Sequence, residues 1–137
     1  MFGNDQLHEI IQLSDYLVIA APLTPATQNM INESTFVHTK RGQVLINVGR
    51  RPIIDEAALE AALSSGILKG AALDVFVEEP LPSTSGLWGL PNVLISPHNA
   101  DQTVDFRHKS VLFFCENCSR FLKEEDLLCV VDKQLGY

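Results

Sequence analysis

An open parallel α/β sheet with flanking helices is the fold this sequence predicts, and three observations carry the prediction. Four short apolar runs recur along the chain, at residues 16–20, 43–48, 67–75 and 92–96, each of strand length. Helical stretches with capping residues lie between them; regular alternation of strand and helix makes the strands parallel, with right-handed crossovers. The last three runs each deliver charged or titratable residues into a loop, as happens where such sheets bind ligands, outside the carboxyl ends of their strands.

Taken in order, residues 7–13 read as a short helix and 16–20 as the first strand. Asn32 caps a helical stretch through Thr35, Phe36 and Val37 that ends near Gly42. Residues 43–48 form a strand whose continuous apolar character predicts burial on both faces. Asp55 is a good N-cap for a helix over 56–64, and Gly66 stands just past its end. The third strand runs over 67–75. Residues 80–89 make a loop rich in Pro, Ser and Gly, with Trp88 as its expected anchor, and 92–96 make the last strand. A long amphipathic helix is expected over 101–122, its stripe formed by Val104, Val111, Leu112, Phe114, Cys115, Cys118 and Leu122, before a tail over 128–137. No internal repeat or low-complexity segment interrupts the pattern.

Bulk properties suit one α/β unit of 137 residues. The chain is 46% apolar, with a mean hydropathy of +0.11, high enough to predict uncovered apolar surface and association, most simply a homodimer. A net charge of −7 without a Lys/Arg cluster excludes a nonspecific nucleic-acid binder. The longest apolar run, 16–23, is strand-sized, so no membrane span is expected. Residues 1–6 have neither the basic start nor the apolar segment of a signal peptide, which makes the cytoplasm the expected location. Three cysteines do not make a disulfide framework. Cys115 and Cys118 have metal or redox spacing, but no second pair and no histidine at ligand spacing accompanies them. Partly buried small hydrophobes on a helix is the reading that spacing favours over zinc.

The chemistry rests on Arg50, Asp74, Glu79 and His98, each placed where an apolar run gives way to a loop. Singly they are ordinary: a solvated arginine, a loop histidine, an acid in a short acidic stretch. Together they suit hydride transfer to a carbonyl beside a carboxylate. The guanidinium fork binds a carboxylate bidentately and stays charged at any working pH. An imidazole can hand a proton to oxygen as hydride reaches the carbon. A carboxylate against that imidazole favours its charged form, and a second one can accept from a cofactor amide.

At these residues the sequence resembles the D-isomer-specific 2-hydroxyacid dehydrogenases. The matching segments are Ser14-Asp15-Tyr16-Leu17-Val18-Ile19 with the loop Pro22-Leu23-Thr24-Pro25-Ala26-Thr27, then Leu45-Ile46-Asn47-Val48-Gly49-Arg50. Gly70-Ala71-Ala72-Leu73-Asp74-Val75-Phe76 with Glu79-Pro80 and Val93-Leu94-Ile95-Ser96-Pro97-His98 complete the match, which runs from about Leu7 to the C-terminus. The resemblance implies a Rossmann-like nucleotide-binding domain over 1–100 and a helix and tail over 101–137 that return to a substrate domain. It implies that Arg50 binds the substrate carboxylate, that His98 is the acid/base, and that Glu79 is its carboxylate partner. Ala21, Pro22 and Thr27 would line the adenosine and pyrophosphate side of NAD or NADP; Val48, Gly49, Asp74 and Ala100 would lie along the cofactor cleft, Asp74 beside the nicotinamide. The substrate implied is a short 2-oxo or 2-hydroxy acid. Two positions depart from the pattern: Arg51 replaces the usual Gly, altering a tight turn or adding a positive charge, and Ala20 replaces a frequent His.

The family's Gly-x-Gly-x-x-Gly turn is not among the eight glycines, nor is the acidic residue that follows it and selects the ribose. The sequence therefore predicts an incomplete Rossmann-like sheet, without the first half of the nucleotide-binding domain or the substrate domain, and leaves the choice of NAD or NADP unreadable. Two functions from different classes stand open: an oxidoreductase or part of one, and a noncatalytic truncated paralogue serving as an oligomerisation or binding module.

Overall fold

The computed structural model describes residues 6–135; residues 1–5, on which the signal-peptide reading mostly rests, and the tail's residues 136–137 lie outside it, as does the side chain of Arg51. The chain divides into two compact units, Met1–His98 and Asn99–Tyr137.

The first unit is a four-stranded parallel sheet in the order β1-β2-β3-β4. Its elements are α1 (Leu7–Leu13), β1 (Tyr16–Ile19), α2 (Glu33–Phe36), β2 (Gln43–Asn47), α3 (Glu56–Ser64), β3 (Leu68–Leu73) and β4 (Val93–Ile95), with 3-10 turns at Arg51–Ile53 and Gly86–Gly89. The capping residues act as their types predict. Asn32 accepts from Ser34 and Thr35 N–H while Thr35 returns a bond to Asn32, closing a capping box. Asp55 Oδ1 accepts from Ala58 N–H at 3.1 Å. Gly66 takes φ +72° just beyond α3, the left-handed conformation that lets the chain leave the helix.

Register sets two rows of side chains on the same sheet face: Leu17, Leu45, Ala71 and Val93, then Ile19, Asn47, Leu73 and Ile95. Leu17, Ile19, Leu45, Ala71 and Leu73 of these rows form one core with Ile11, Leu59, Leu63, Leu68 and Leu87, and Val93 and Ile95 pack against it. Each fully buried Leu or Ile is worth about 1.5–3 kcal/mol relative to exposure. The opposite face is apolar but bare: Tyr16, Val18 and Leu94 are 68%, 57% and 70% exposed, and Val44 and Ile46 are only partly covered. Burial of β2 on both faces, expected from its composition, is thus corrected. An apolar run reports what a strand can bury, not whether a second layer covers it.

Gln43 opens β2 and is 1% exposed. Its Nε2 donates to the carbonyls of Ile11 (2.9 Å) and Ser14 (2.7 Å), satisfying acceptors that the end of α1 leaves over. Trp88 is not the anchor of the 80–89 loop: it is 55% exposed, its indole donating to Pro82 O at 3.0 Å, while Leu87 beside it is 1% exposed. With its N–H bonded inside the loop the indole closes the loop at the surface, and Leu87 is the side chain the loop sends into the core.

In the second unit α4 spans Phe106–Leu122, starting later than the expected 101. Turns formed by Gln102 N–H to Asn99 O and Phe106 N–H to Thr103 O occupy the interval, and the Val104 counted into the stripe is fully exposed. No α4 residue is buried. Glu124, at φ +58°, reverses the chain, and Asn117 clamps the returning tail through Leu128 N–H (2.8 Å) and Leu128 O (3.2 Å). Backbone bonds from Leu135 and Gln134 hold the Asp132 carboxyl below its ordinary range. Cys115 and Cys118 are exposed rather than partly buried, and no group of metal-ligating side chains gathers among the described residues. No described helix is long and apolar enough to cross a membrane.

Candidate active site

Parallel pairing brings the four chemistry-bearing residues to one edge. Asn47, Leu73 and Ile95 are paired across β2, β3 and β4; Arg50, Asp74 and His98 follow them, beyond the carboxyl ends of those strands.

His98 and Glu79 meet: His98 Nδ1 lies 2.9 Å from Glu79 Oε2. The other carboxylate oxygen, Oε1, accepts from Phe76 N–H at 2.9 Å. An ionised carboxylate can only accept, so facing an ionised Glu79 it is Nδ1 that donates, which leaves Nε2 as the acceptor nitrogen of a neutral ring. Side chains of His98 and Glu79 are 45% and 26% exposed, so both are open to a small molecule at this edge. His98 has φ +50°, a left-handed conformation rare outside glycine though enriched for histidine.

Asp74 is 4% exposed. Its Oδ1 accepts from Ser96 Oγ at 2.5 Å, and its N–H donates to Asn47 O. Sequence reasoning passed over Ser96; its place two residues before the histidine, on the strand next to Asp74, was the available signal. Glu56 was passed over too. It occupies the first turn of α3, where an acid is ordinarily read as a partner for the helix dipole, yet its Oε1 accepts from Val77 N–H.

Arg50 is exposed, its Nη1 donating to Gly49 O at 2.9 Å. Gly49 lies where two strand-end loops converge: an added Cβ would stand 3.0 Å from Ala21 O and 3.3 Å from Ile19 O. Its N–H donates to the buried Asn47 side chain, and Val48 N–H donates to Ile19 O. In the loop after β1, Thr27 Oγ1 donates to Pro22 O at 2.8 Å and accepts from Thr24 N–H at 2.8 Å, so its hydroxyl shapes the loop that Ala21 and Pro22 open. Ala100 stands two residues beyond His98, in the second unit.

Beside the His98–Glu79 pair is a cavity of about 420 Å³, walled by Phe76, Leu81, Trp88 and Ile95 together with both members of the pair. Apolar walls around one charged pair are the composition of a small-ligand cleft.

Residues 2–100 match the family model described as D-isomer specific 2-hydroxyacid dehydrogenase, NAD binding domain. A glyoxylate/hydroxypyruvate reductase B of Erwinia tasmaniensis is 44% identical over 74% of this chain and 32% of its own length. A glyoxylate reductase of Thermofilum pendens is 37% identical over 94% of this chain and 38% of its own. Among solved structures, a D-isomer specific 2-hydroxyacid dehydrogenase from Xanthobacter autotrophicus in complex with NADPH and MES superposes with a TM-score of 0.93 at 40% identity, covering 100% of this chain and 56% of that one. An NADPH-dependent glyoxylate/hydroxypyruvate reductase from Sinorhizobium meliloti in complex with NADP and sulfate gives 0.91 at 37% identity, covering 99% and 44%. The chain thus spans about a third to just over half the length of these proteins.

Proposed function

The chain belongs to the D-isomer-specific 2-hydroxyacid dehydrogenase family, and from that premise we propose that it carries the acid/base half of a reductase acting on short 2-oxo acids such as glyoxylate or hydroxypyruvate. The observation that carries the proposal is the 2.9 Å contact between His98 Nδ1 and Glu79 Oε2 beside a cavity sized for a small acid.

Each residue has a task in this reading. Arg50 grips the substrate carboxylate by its planar fork. Glu79, tied to Phe76 N–H, holds the imidazole in one tautomer and stabilises its protonated form. His98 Nε2 donates its proton to the C2 oxygen as that atom gains charge, and recovers it in the reverse direction. The residues fit the nicotinamide end of NAD(P). Asp74 is a buried acceptor held by Ser96, suited to the carboxamide N–H groups, and Val48 and Gly49 lie beside it at the end of β2. When bound, the reduced nicotinamide supplies the hydride. NADP(H) in both solved relatives favours the phosphorylated form. Ala21, Pro22 and Thr27 complete the proposed cofactor side.

A chimera tests this directly: residues 2–100 replace the matching segment of the Sinorhizobium meliloti NADPH-dependent reductase. NADPH oxidation with glyoxylate is expected to survive, and His98→Asn to lower it by about 10²–10⁴, the usual contribution of a general acid. A folded, NADPH-binding chimera without turnover would sink the reading.

The bare face formed by Tyr16, Val18 and Leu94 favours association, and a homodimer is its simplest form. The noncatalytic oligomerisation module would rest on that same face. Sedimentation equilibrium over a tenfold concentration range checks it; a constant mass near 15.1 kDa would remove the dimer. A cytoplasmic location belongs to the same proposal and is checked by imaging a tagged chain in its host.

A further inference from the structure

We propose that Glu56 is a positioning residue for the Glu79–His98 pair, acting through the backbone of Val77; the proposal rests on the acid/base reading of that pair. Residues 74–79 bring both carboxylates of this edge into place. Packing secures the first part of the segment, since Val75 and Phe76 are 4% and 3% exposed. At Val77 that support ends: its side chain is 53% exposed, and Glu78 after it is exposed as well.

Glu56 takes over there. Its Oε1 accepts from Val77 N–H at 2.5 Å, across 21 positions of chain. The adjacent acids 55 and 56 divide two tasks. Asp55 is committed to its own helix through Ala58 N–H, which leaves Glu56 to reach out of α3 to the loop. α3 is itself fixed to the core by Leu59, Ala62 and Leu63, so the loop is tied to a rigid body.

The consequence reaches the histidine through consecutive amides. Phe76 N–H is taken by Glu79 Oε1 and Val77 N–H by Glu56 Oε1. Each peptide unit is planar, so holding Val77 N–H fixes the plane joining residues 76 and 77 and the direction in which the chain runs on to Glu79. Glu79 must span Phe76 N–H and His98 Nδ1 at 2.9 Å each; a segment free to swing after Phe76 cannot keep both.

The test reads the His98 tautomer by long-range ¹H–¹⁵N correlation NMR on the full chain, at a pH where imidazoles are neutral. His8, His38 and His108 serve as internal references. The wild type is expected to hold its proton on Nδ1, the form that Glu79 selects. Glu56→Ala should lower the ratio of Nδ1–H to Nε2–H by about threefold to tenfold, the shift that a hydrogen bond of ordinary net strength supports. Glu56→Asp keeps an acid at the helix start but falls one methylene short, and should behave like the alanine variant. Glu56→Gln keeps the accepting oxygen and should restore the wild-type ratio; loss in Glu56→Gln equal to that in Glu56→Ala would overturn the acceptor role. An unchanged ratio in folded Glu56→Ala and Glu56→Asp would overturn the positioning role while leaving the acid/base reading intact. A wild type lacking the Nδ1–H form would instead remove the Glu79–His98 reading itself.

Discussion

Replacing Gln43 by Met removes two hydrogen bonds from the interior while nearly conserving side-chain volume. Gln43 is 1% exposed, and its amide serves the carbonyls of Ile11 at 2.9 Å and Ser14 at 2.7 Å. Ile11 is buried and Ser14 partly so, so the two losses differ. A buried carbonyl left unsatisfied costs about 1–3 kcal/mol; one that water can reach loses only the net ~0.5–1.5 kcal/mol of an ordinary bond. Their sum, reduced by the apolar gain of the thioether, gives a destabilisation of about 2–3 kcal/mol. That is a large share of the roughly 5–15 kcal/mol that holds a typical domain, and it corresponds to a fall in Tm of roughly 10–20 °C. Urea unfolding followed by far-UV circular dichroism should show a lower midpoint with an unchanged slope. Gln12→Met is the control, since Gln12 is exposed and only 3.5 Å from His38 Nδ1. A Gln43→Met loss below about 0.5 kcal/mol would refute the reasoning, because the two carbonyls would then have found other donors.

Two further predictions concern the strand-end site. In the chimera, Arg50→Lys should raise KM for glyoxylate and lower kcat with NADPH affinity nearly unchanged, because a point charge replaces a bidentate fork; collapse of NADPH affinity with intact substrate binding would assign Arg50 to the wrong partner. Gly49→Ala should destabilise the chain by about 1–3 kcal/mol in urea titration, since the new methyl meets the carbonyls of Ala21 and Ile19 at 3.0 and 3.3 Å and neither is a flexible side chain that can turn aside. A neutral Gly49→Ala would mean that the two loops separate easily.

What could be read from the sequence was mostly local. Asn32 and Asp55 declared their helices because a side-chain acceptor before an apolar stretch has few better uses than a cap. β2 and β4 were visible as short apolar runs, and the convergence of Arg50, Asp74 and His98 on one edge followed once the strands were parallel. What stayed hidden was relational. Nothing in Val18 or Leu94 tells which face lacks a second layer, because a strand buried on two sides and one buried on a single side have the same apolar run. The periodicity of α4 extended too far upstream for a similar reason: Val104 fits the spacing, but the turns before Phe106 use their amides elsewhere. Glu56 and Ser96 were missed because their bonds span 21 and 22 positions, and each residue type has a commoner local role.

The buried polar side chains distinguish the ends of the sheet. Among the described residues four are buried: Thr35, Gln43, Asn47 and Asp74. Thr35 belongs to a capping box, and Gln43 secures the end of α1, so both serve the fold. Asn47 and Asp74 lie at the carboxyl ends of β2 and β3, where one orders Gly49 N–H and the other is held by Ser96. A buried carboxylate costs more than an apolar residue of similar size unless its oxygens are satisfied, and Ser96 Oγ supplies one of those bonds. The same edge bears His98 in a left-handed conformation, a departure worth roughly 1–3 kcal/mol that surrounding structure must sustain. Positive φ alone does not mark a site: Asn29 has it too, in a loop whose amide bonds Pro52 O, and asparagine tolerates the conformation well. The convergence is what discriminates. A buried acid, a histidine in the left-handed conformation and a carboxylate tied to it gather at the edge where a parallel sheet presents its ligands, and under the proposed function the local rules are broken where chemistry rather than folding dictates the residue.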